Sequence, residues 1–237
     1  MPSTIQGYLS LCNKELQHPN NNSVMEYLRD RFLTEDYIDS FGIGYSPCEW
    51  SITNEDKMFS KFFDEFPRTK RNLTKRLVFP IKNYKGDLSG FITRTIGDPK
   101  FYRKFLFYPH IPFYNMYGIN ENLGHIEESK SVFVVESIFD LVAVYPWVKN
   151  CVALLGTAFL DSQMSVLKRF SDHVYLGFNN DFDSPHQAGN EATKYAKKRL
   201  KKFGFRVTHV KLPERINDFS DLRSEMEDLG DFLGNYF

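Results

Sequence analysis

The chain lacks several things, and each absence removes a class of protein. No apolar stretch approaches the length needed to span a bilayer. The N-terminus, Met1 to Gln6, has no basic region followed by an apolar core, so no secretory signal is read there. Three cysteines, Cys12, Cys48 and Cys151, stand far apart without paired spacing. That excludes a zinc ribbon and a disulfide framework, and fits a reducing cytoplasm. The six histidines show no triad or metal spacing, and no repeat or low-complexity segment occurs. What remains is an ordinary globular composition, 42% hydrophobic and 25% charged over 237 residues, enough for one large domain or two small ones.

Net charge is also absent, but the zero conceals a division. Between Arg68 and Lys104 there are eleven Lys/Arg against Asp87 and Asp98, a surplus of nine positive charges that the rest of the chain cancels. Segregation of this kind points to a polyanionic partner where the total does not.

The first twenty-two residues show no strong pattern and read as an N-terminal extension ending in a loop at Asn20-Asn21-Asn22. Ser23 with Glu26 is a capping-box start, and Thr34 with Glu35 and Asp36 opens a second helix that Gly42 and Gly44 stop. Residues 54–66, rich in phenylalanine, predict a third. Arg76–Ile81 and Asp87–Arg94 flank Tyr84-Lys85-Gly86, a hairpin with glycine in its turn. From about residue 128 the texture changes. Strands at 131–135, 151–155, 173–178 and 206–211 alternate with helices at 138–146, 160–170 and 187–203, which implies parallel pairing with right-handed crossovers. The expected organisation is an extension (1–22), a basic α+β subdomain (23–124) and an α/β domain with a short helical tail (125–237).

In parallel sheets, ligands gather outside the carboxyl ends of the strands. The first strand of the α/β half, Ser131–Val135, ends in Glu136, and the third, through Phe178, ends in Asn179-Asn180-Asp181. Taken singly, Glu136 and Asp140 read as helix N-terminal acids and Asp181 as a turn residue. Taken together they form an acidic edge suited to Mg²⁺, which asks the protein for only one or two carboxylates.

The set also resembles a known family. Val134-Val135-Glu136-Ser137-Ile138-Phe139-Asp140, Leu154-Leu155-Gly156-Thr157, Phe178-Asn179-Asn180-Asp181, Ala188-Gly189-Asn190 and Asn217-Asp218-Phe219-Ser220-Asp221 are similar to the TOPRIM domain of bacterial DnaG-type primases, topoisomerases and some nucleases. Phe41-Gly42-Ile43-Gly44-Tyr45, Arg76-Leu77-Val78-Phe79-Pro80-Ile81, Gly90-Phe91, Arg94 and Tyr117-Gly118 resemble the N-terminal part of the primase catalytic core, which topoisomerases and TOPRIM nucleases lack. The likeness runs from about residue 24 to 225, and its brevity implies a phage-encoded member acting in the bacterial host cytoplasm.

The resemblance implies synthesis of short RNA primers on single-stranded DNA. Glu136, Asp181 and Asp218 would be catalytic and would hold Mg²⁺, or Mn²⁺ in its place, with Asn179 and Asp140 in support. Arg76, Arg94, Lys100, Arg103 and Lys104 would hold template and incoming nucleoside triphosphate. The family's zinc-binding module is not expected here, since Cys12 and His18 cannot supply four ligands. A replicative helicase, or a separate zinc-binding or polymerase subunit, would then act in trans. No membrane partner is implied.

The chain departs from the family at three points, one being a stretch from Phe182 to Gln187 that is longer than the usual link to Ala188-Gly189. Asn179 stands where the family has the first aspartate of a pair, and a shift to Asp181-Phe182-Asp183 would restore two acids away from the strand end. Ser220 stands where many primases have a further acid, with Asp221 adjacent. A non-catalytic primase-like subunit is therefore the first rival and a TOPRIM nuclease the second. The lysines of 194–202 read as a solvated helix face.

Overall fold

A computed structural model describes residues 5–47, 73–96, 104–108, 115–156, 158–180, 188–226 and 228–237, with side chains from 192 onward in the stretch that begins at 188. The expected helix at 54–66 lies outside them. Contacts divide the chain into two units, Met1–Lys82 with Asp87–Pro112, and Asn83–Gly86 with Phe113–Phe237.

The first unit holds a four-stranded antiparallel sheet in the order β1 (Gly44–Ser46), β2 (Arg76–Lys82), β3 (Leu88–Thr95), β4 (Phe105–Tyr108). β2 and β3 form the expected hairpin, with Gly86 at φ +90° in its turn, where a side chain would be strained. One face of the sheet, carrying Val78, Phe91 and Tyr108, packs against Ile5, Tyr8, Leu9 and Cys12 of the helix Ile5–Leu16. This helix corrects the reading of the first twenty-two residues as a patternless extension: its buried positions, Ile5, Tyr8, Leu9, Cys12 and Leu16, recur at helical spacing. It approaches β1 so closely that a Cβ on Gly44 would sit 2.5 Å from the Cys12 Cβ and 2.7 Å from the Asn13 backbone nitrogen. Gly44 is thus a contact glycine, while Gly42, at φ +62°, is the helix stop.

The expected capping box at Ser23 is not formed. The helix Asn22–Arg29 starts two residues earlier, with Asn21 at its N-cap, out of a 3₁₀ turn at Pro19–Asn21 and without a side-chain cap. The Thr34 cap does form, its hydroxyl accepting from Tyr37 N at 3.3 Å.

The second unit is an α/β domain. Its four parallel strands, β5 (Ser131–Val135), β6 (Cys151–Ala153), β7 (His173–Gly177) and β8 (Arg206–His209), lie in the order β6-β5-β7-β8. Val132 to Val135 are all buried, as a strand covered on both faces requires. Around them lie helices Leu123–Ser129, Ile138–Val144, Asp161–Leu167, Ala188–Lys202, Phe219–Glu225 and Gly230–Gly234. The main core runs from Val132, Val134, Val174 and Leu176 to Ala196 and Leu200. Among the described residues no helix is long and apolar enough to cross a membrane.

Candidate metal edge and nucleic-acid contacts

β5 connects to β6 on one side, and the chain then returns past β5 to lay β7 on its other side. The gap between the carboxyl ends of β5 and β7 is therefore the switch point of the sheet, where open α/β domains bind ligands. Val135 pairs with Gly177, the last residues of the two strands, so Glu136 and Asn179 emerge side by side. The backbone N–H of Asn179 donates to Glu136 Oε1 at 3.0 Å. This fixes one carboxylate oxygen of a half-buried glutamate.

A third element is brought to the same edge by Asp140. Its side chain is 1% exposed and closes a capping box with Ser137, accepting from Ser137 N (3.2 Å) and Oγ (2.6 Å). Its other oxygen accepts from Phe219 N at 3.1 Å, across 79 residues of sequence. Phe219 begins a helix whose N-cap is Asp218, with Asp218 Oδ1 accepting from Asp221 N at 2.7 Å. At the far end of that helix, Arg223 donates to the carbonyls of Val142 and Ala143. Burial pushes the Asp140 carboxyl up to about 7, and the nearby charges of Asp218 and Glu136 push the same way. Asp140, expected in support of the metal, is thus a buried tie with both oxygens accepting hydrogen bonds.

Asn180 is a second tie. Its Nδ2 donates to the carbonyls of Pro213 (3.0 Å) and Ile216 (2.8 Å), and its N–H to Asn217 O (2.9 Å). The loop before Asp218 is thereby held to the end of β7. Sequence reading passed over Asn180. Gly177 was passed over too, although a Cβ there would meet Phe133 at 2.5 Å and Phe219 at 2.8 Å. These two rings pack edge to face, 5.3 Å apart.

The residues on this edge offer hard oxygen donors to a divalent ion. Glu136 and Asp218 are half-buried carboxylates, and Asn179 Oδ1 is buried without a hydrogen-bond partner. A buried amide oxygen without a donor suits a hard cation. Among the described residues no group of three or more His, Cys, Asp or Glu has metal-binding geometry; Asp181 lies outside them.

In the first unit, the expected basic contacts separate. Arg76 is 2% exposed, with Nε on Thr93 Oγ1 (2.7 Å) and a terminal nitrogen on Lys104 O (3.1 Å). Arg94 pairs across the hairpin with Leu77, not with Arg76. Alternation therefore puts the two arginines on opposite faces. Arg76 lies on the side of Tyr8 and Tyr108, and Arg94 beside Tyr27, Arg31 and, at 5.3 Å, the ring of Phe105. Burial lowers the pKa of both. Lys104 is exposed, while Lys100 and Arg103 lie outside the described residues. Of the two arginines expected to hold template and nucleotide, the strand register thus allows only one on a given face.

Residues 133–223 match the Toprim-like family, and residues 11–121 match the N-terminal domain of the DNA primase catalytic core. A DNA primase of Borreliella burgdorferi is 26% identical over 241 residues, covering 91% of this chain but only 44% of that relative. A DnaG catalytic core superposes with a TM-score of 0.77 at 24% identity, over 98% of this chain and 78% of that one. A DnaG primase catalytic domain bound to ssDNA gives 0.75 at 23% identity, over 98% and 79%. With a primase-core N-terminal domain followed by a Toprim-like domain in one chain, the protein belongs to the DnaG-type TOPRIM primase family.

Proposed function

We propose that this chain carries the primer-synthesising activity of a DNA primase, joining ribonucleotides on a single-stranded DNA template by metal-dependent nucleotidyl transfer. The observation that carries this reading is the gathering of Glu136, Asn179 and the Asp218-capped helix at the switch point, in a chain whose other half is primase-like. Glu136 and Asp218 would hold Mg²⁺, or Mn²⁺ in its place, with Asn179 Oδ1 as a neutral oxygen and Asp181 as a further carboxylate. When bound, such an ion offsets triphosphate charge and lowers the pKa of the primer 3′-hydroxyl.

The chain's own residues supply placement. The Asn179 N–H orients Glu136, and Asp140 keeps Asp218 at the edge. Arg94 and Lys104, with Lys100 and Arg103, would hold template and nucleoside triphosphate by charge, while Arg76 braces the sheet behind them. The 3′-oxygen bonds to the α-phosphorus as the bond to pyrophosphate breaks, and no protein nucleophile is required. A replicative helicase, or a zinc-binding or polymerase subunit, would be its replication partner.

The test is a primer-synthesis gel with ribonucleotides, single-stranded DNA and Mg²⁺ or Mn²⁺. Glu136→Gln is expected to abolish product with an unchanged circular-dichroism spectrum; activity near the wild-type level would sink the metal assignment. Asn179 in an otherwise acidic position supports a second reading, a non-catalytic DNA-binding subunit. That reading is favoured if no product forms with either ion while DNA binding persists.

A further inference from the structure

The helix Ala188–Lys202 faces its core with Thr193, Ala196 and Leu200. At about 3.6 residues per turn, Lys194, Lys198, Lys201 and Lys202 lie on the exposed side, and Lys197, half-buried, borders the core-facing positions. Sequence alone makes this a solvated surface; the fold adds three observations. The first is that the edge strand β8 extends the cationic face. Burial, and after it the charges of Lys197 and Lys211, lower the pKa of His209 to about 4. Burial and Lys201 lower the pKa of Lys197 itself. Among the described residues none of Lys197, Lys198, Lys201, Lys202 and Lys211 is in an ion pair. A cluster of cations without ion-pair partners raises the local concentration of anions at this surface.

The second observation is continuity with the metal edge. Lys211 leads directly into Leu212 and Pro213, whose carbonyls accept from Asn180 Nδ2 at 3.4 and 3.0 Å. The cationic surface therefore begins beside Asn179 and continues over β8 onto the helix. The third is Tyr195, 64% exposed among the lysines, with the Arg199 guanidinium 5.3 Å from its ring centre. Arg199 is itself paired with Asp161 and bonded to Phe159 O, so the ring has a fixed neighbour.

We propose that Lys211, Lys197, Lys198, Lys201 and Lys202, with Tyr195, form a second track for single-stranded nucleic acid, carrying the strand away from the metal edge. Lysine ammonium groups are point charges that follow a phosphodiester chain without a fixed fork geometry. An exposed ring between them is the stacking element of sequence-tolerant strand binding. An acidic protein partner fits less well, because protein interfaces have an apolar core and, among the described residues, this face offers one large exposed hydrophobic side chain, Tyr195. The proposal rests on the nucleic-acid reading of the chain but not on its catalysis.

The experiment is fluorescence anisotropy of labelled oligo-dT with the full chain, without metal or nucleotides, across a salt series. For single strands log affinity falls with log salt by about 0.7 per neutralised phosphate. The Lys197→Ala/Lys201→Ala/Lys211→Ala variant is therefore expected to flatten the slope by roughly two units. Tyr195→Ala should weaken binding several-fold with the slope unchanged. A Lys14→Ala/Lys149→Ala variant, which removes two charges elsewhere, should leave the slope alone. The track is overturned if the triple variant keeps the wild-type slope, or if the control flattens it equally. Polyglutamate displacing oligo-dT as well as unlabelled DNA does would also overturn it, pointing to an acidic protein. Failure of primer synthesis alongside a flattened slope would count against the proposed activity and leave the track standing.

Discussion

Asn179 is where chemistry and fold bear on one side chain. Its N–H is used by Glu136, while its Oδ1 is buried and without a donor. Replacing that oxygen by a carboxylate buries a charge, which is unfavourable unless a cation answers it. Asn179→Asp should therefore melt lower than wild type in EDTA and gain more from added Mg²⁺. Calorimetry should show tighter Mg²⁺ binding. Equal affinity for both proteins would favour ligation through Asp181 and Asp183 instead. His209 gives a pH signature in metal-free buffer. Its folded pKa of about 4 lies below the roughly 6.5 of an unfolded histidine. The unfolded chain therefore binds the extra proton, and this contribution to stability is present above about pH 6.5 and lost as pH falls towards 4. Asp140, raised to about 7, acts in the opposite sense, its contribution declining as pH rises from about 4 to 7. Urea midpoints followed from pH 7 to 4 should fall less for His209→Gln than for wild type. Equal declines would mean that burial, with Lys197 and Lys211 beside it, does not hold the imidazole neutral.

Elements were legible in proportion to how local their signals are. The parallel strands announce themselves as short apolar runs between helical stretches, and Thr34 caps where its sequence says it should. Ile5–Leu16 was legible as well, through Ile5, Tyr8, Leu9, Cys12 and Leu16, but Gly7, Ser10 and Asn13 between them dilute the helical signal. Arg76 and Arg94 were not distinguishable, because only pairing with Leu77 rather than Arg76 decides the face. Gly177 was silent for the same reason, since its neighbours Phe133 and Phe219 come from distant segments. Gly177→Ala should overpack that contact and cost about 1–3 kcal/mol, read as a lower urea midpoint. Because Phe219 follows Asp218, Mg²⁺ affinity should fall with it. An unchanged midpoint would show that the two rings can move aside.

Across the whole molecule, charge is partitioned rather than balanced, with the basic surplus of 68–104 in the first unit and acids gathered at the switch point of the second. If Arg94 and Lys104 meet phosphate, Arg94→Ala and Lys104→Ala should each flatten the salt dependence of single-strand binding by somewhat under one unit, at about 0.7 per contact. Arg76→Ala should instead lower stability with little change in slope, since its donors bond Thr93 and Lys104 O inside the sheet. A flattened slope for Arg76 alone would reverse the assignment of faces.

The tie made by Asp140 separates frame from ligands in evolutionary terms. Folding alone selects for this carboxylate, because it joins Ser137 to Phe219 whether or not catalysis follows. A lineage that stopped making primers would keep it. Its presence in a relative therefore says nothing about activity, whereas Glu136, if it holds the metal as proposed, is the position whose loss would track the end of catalysis.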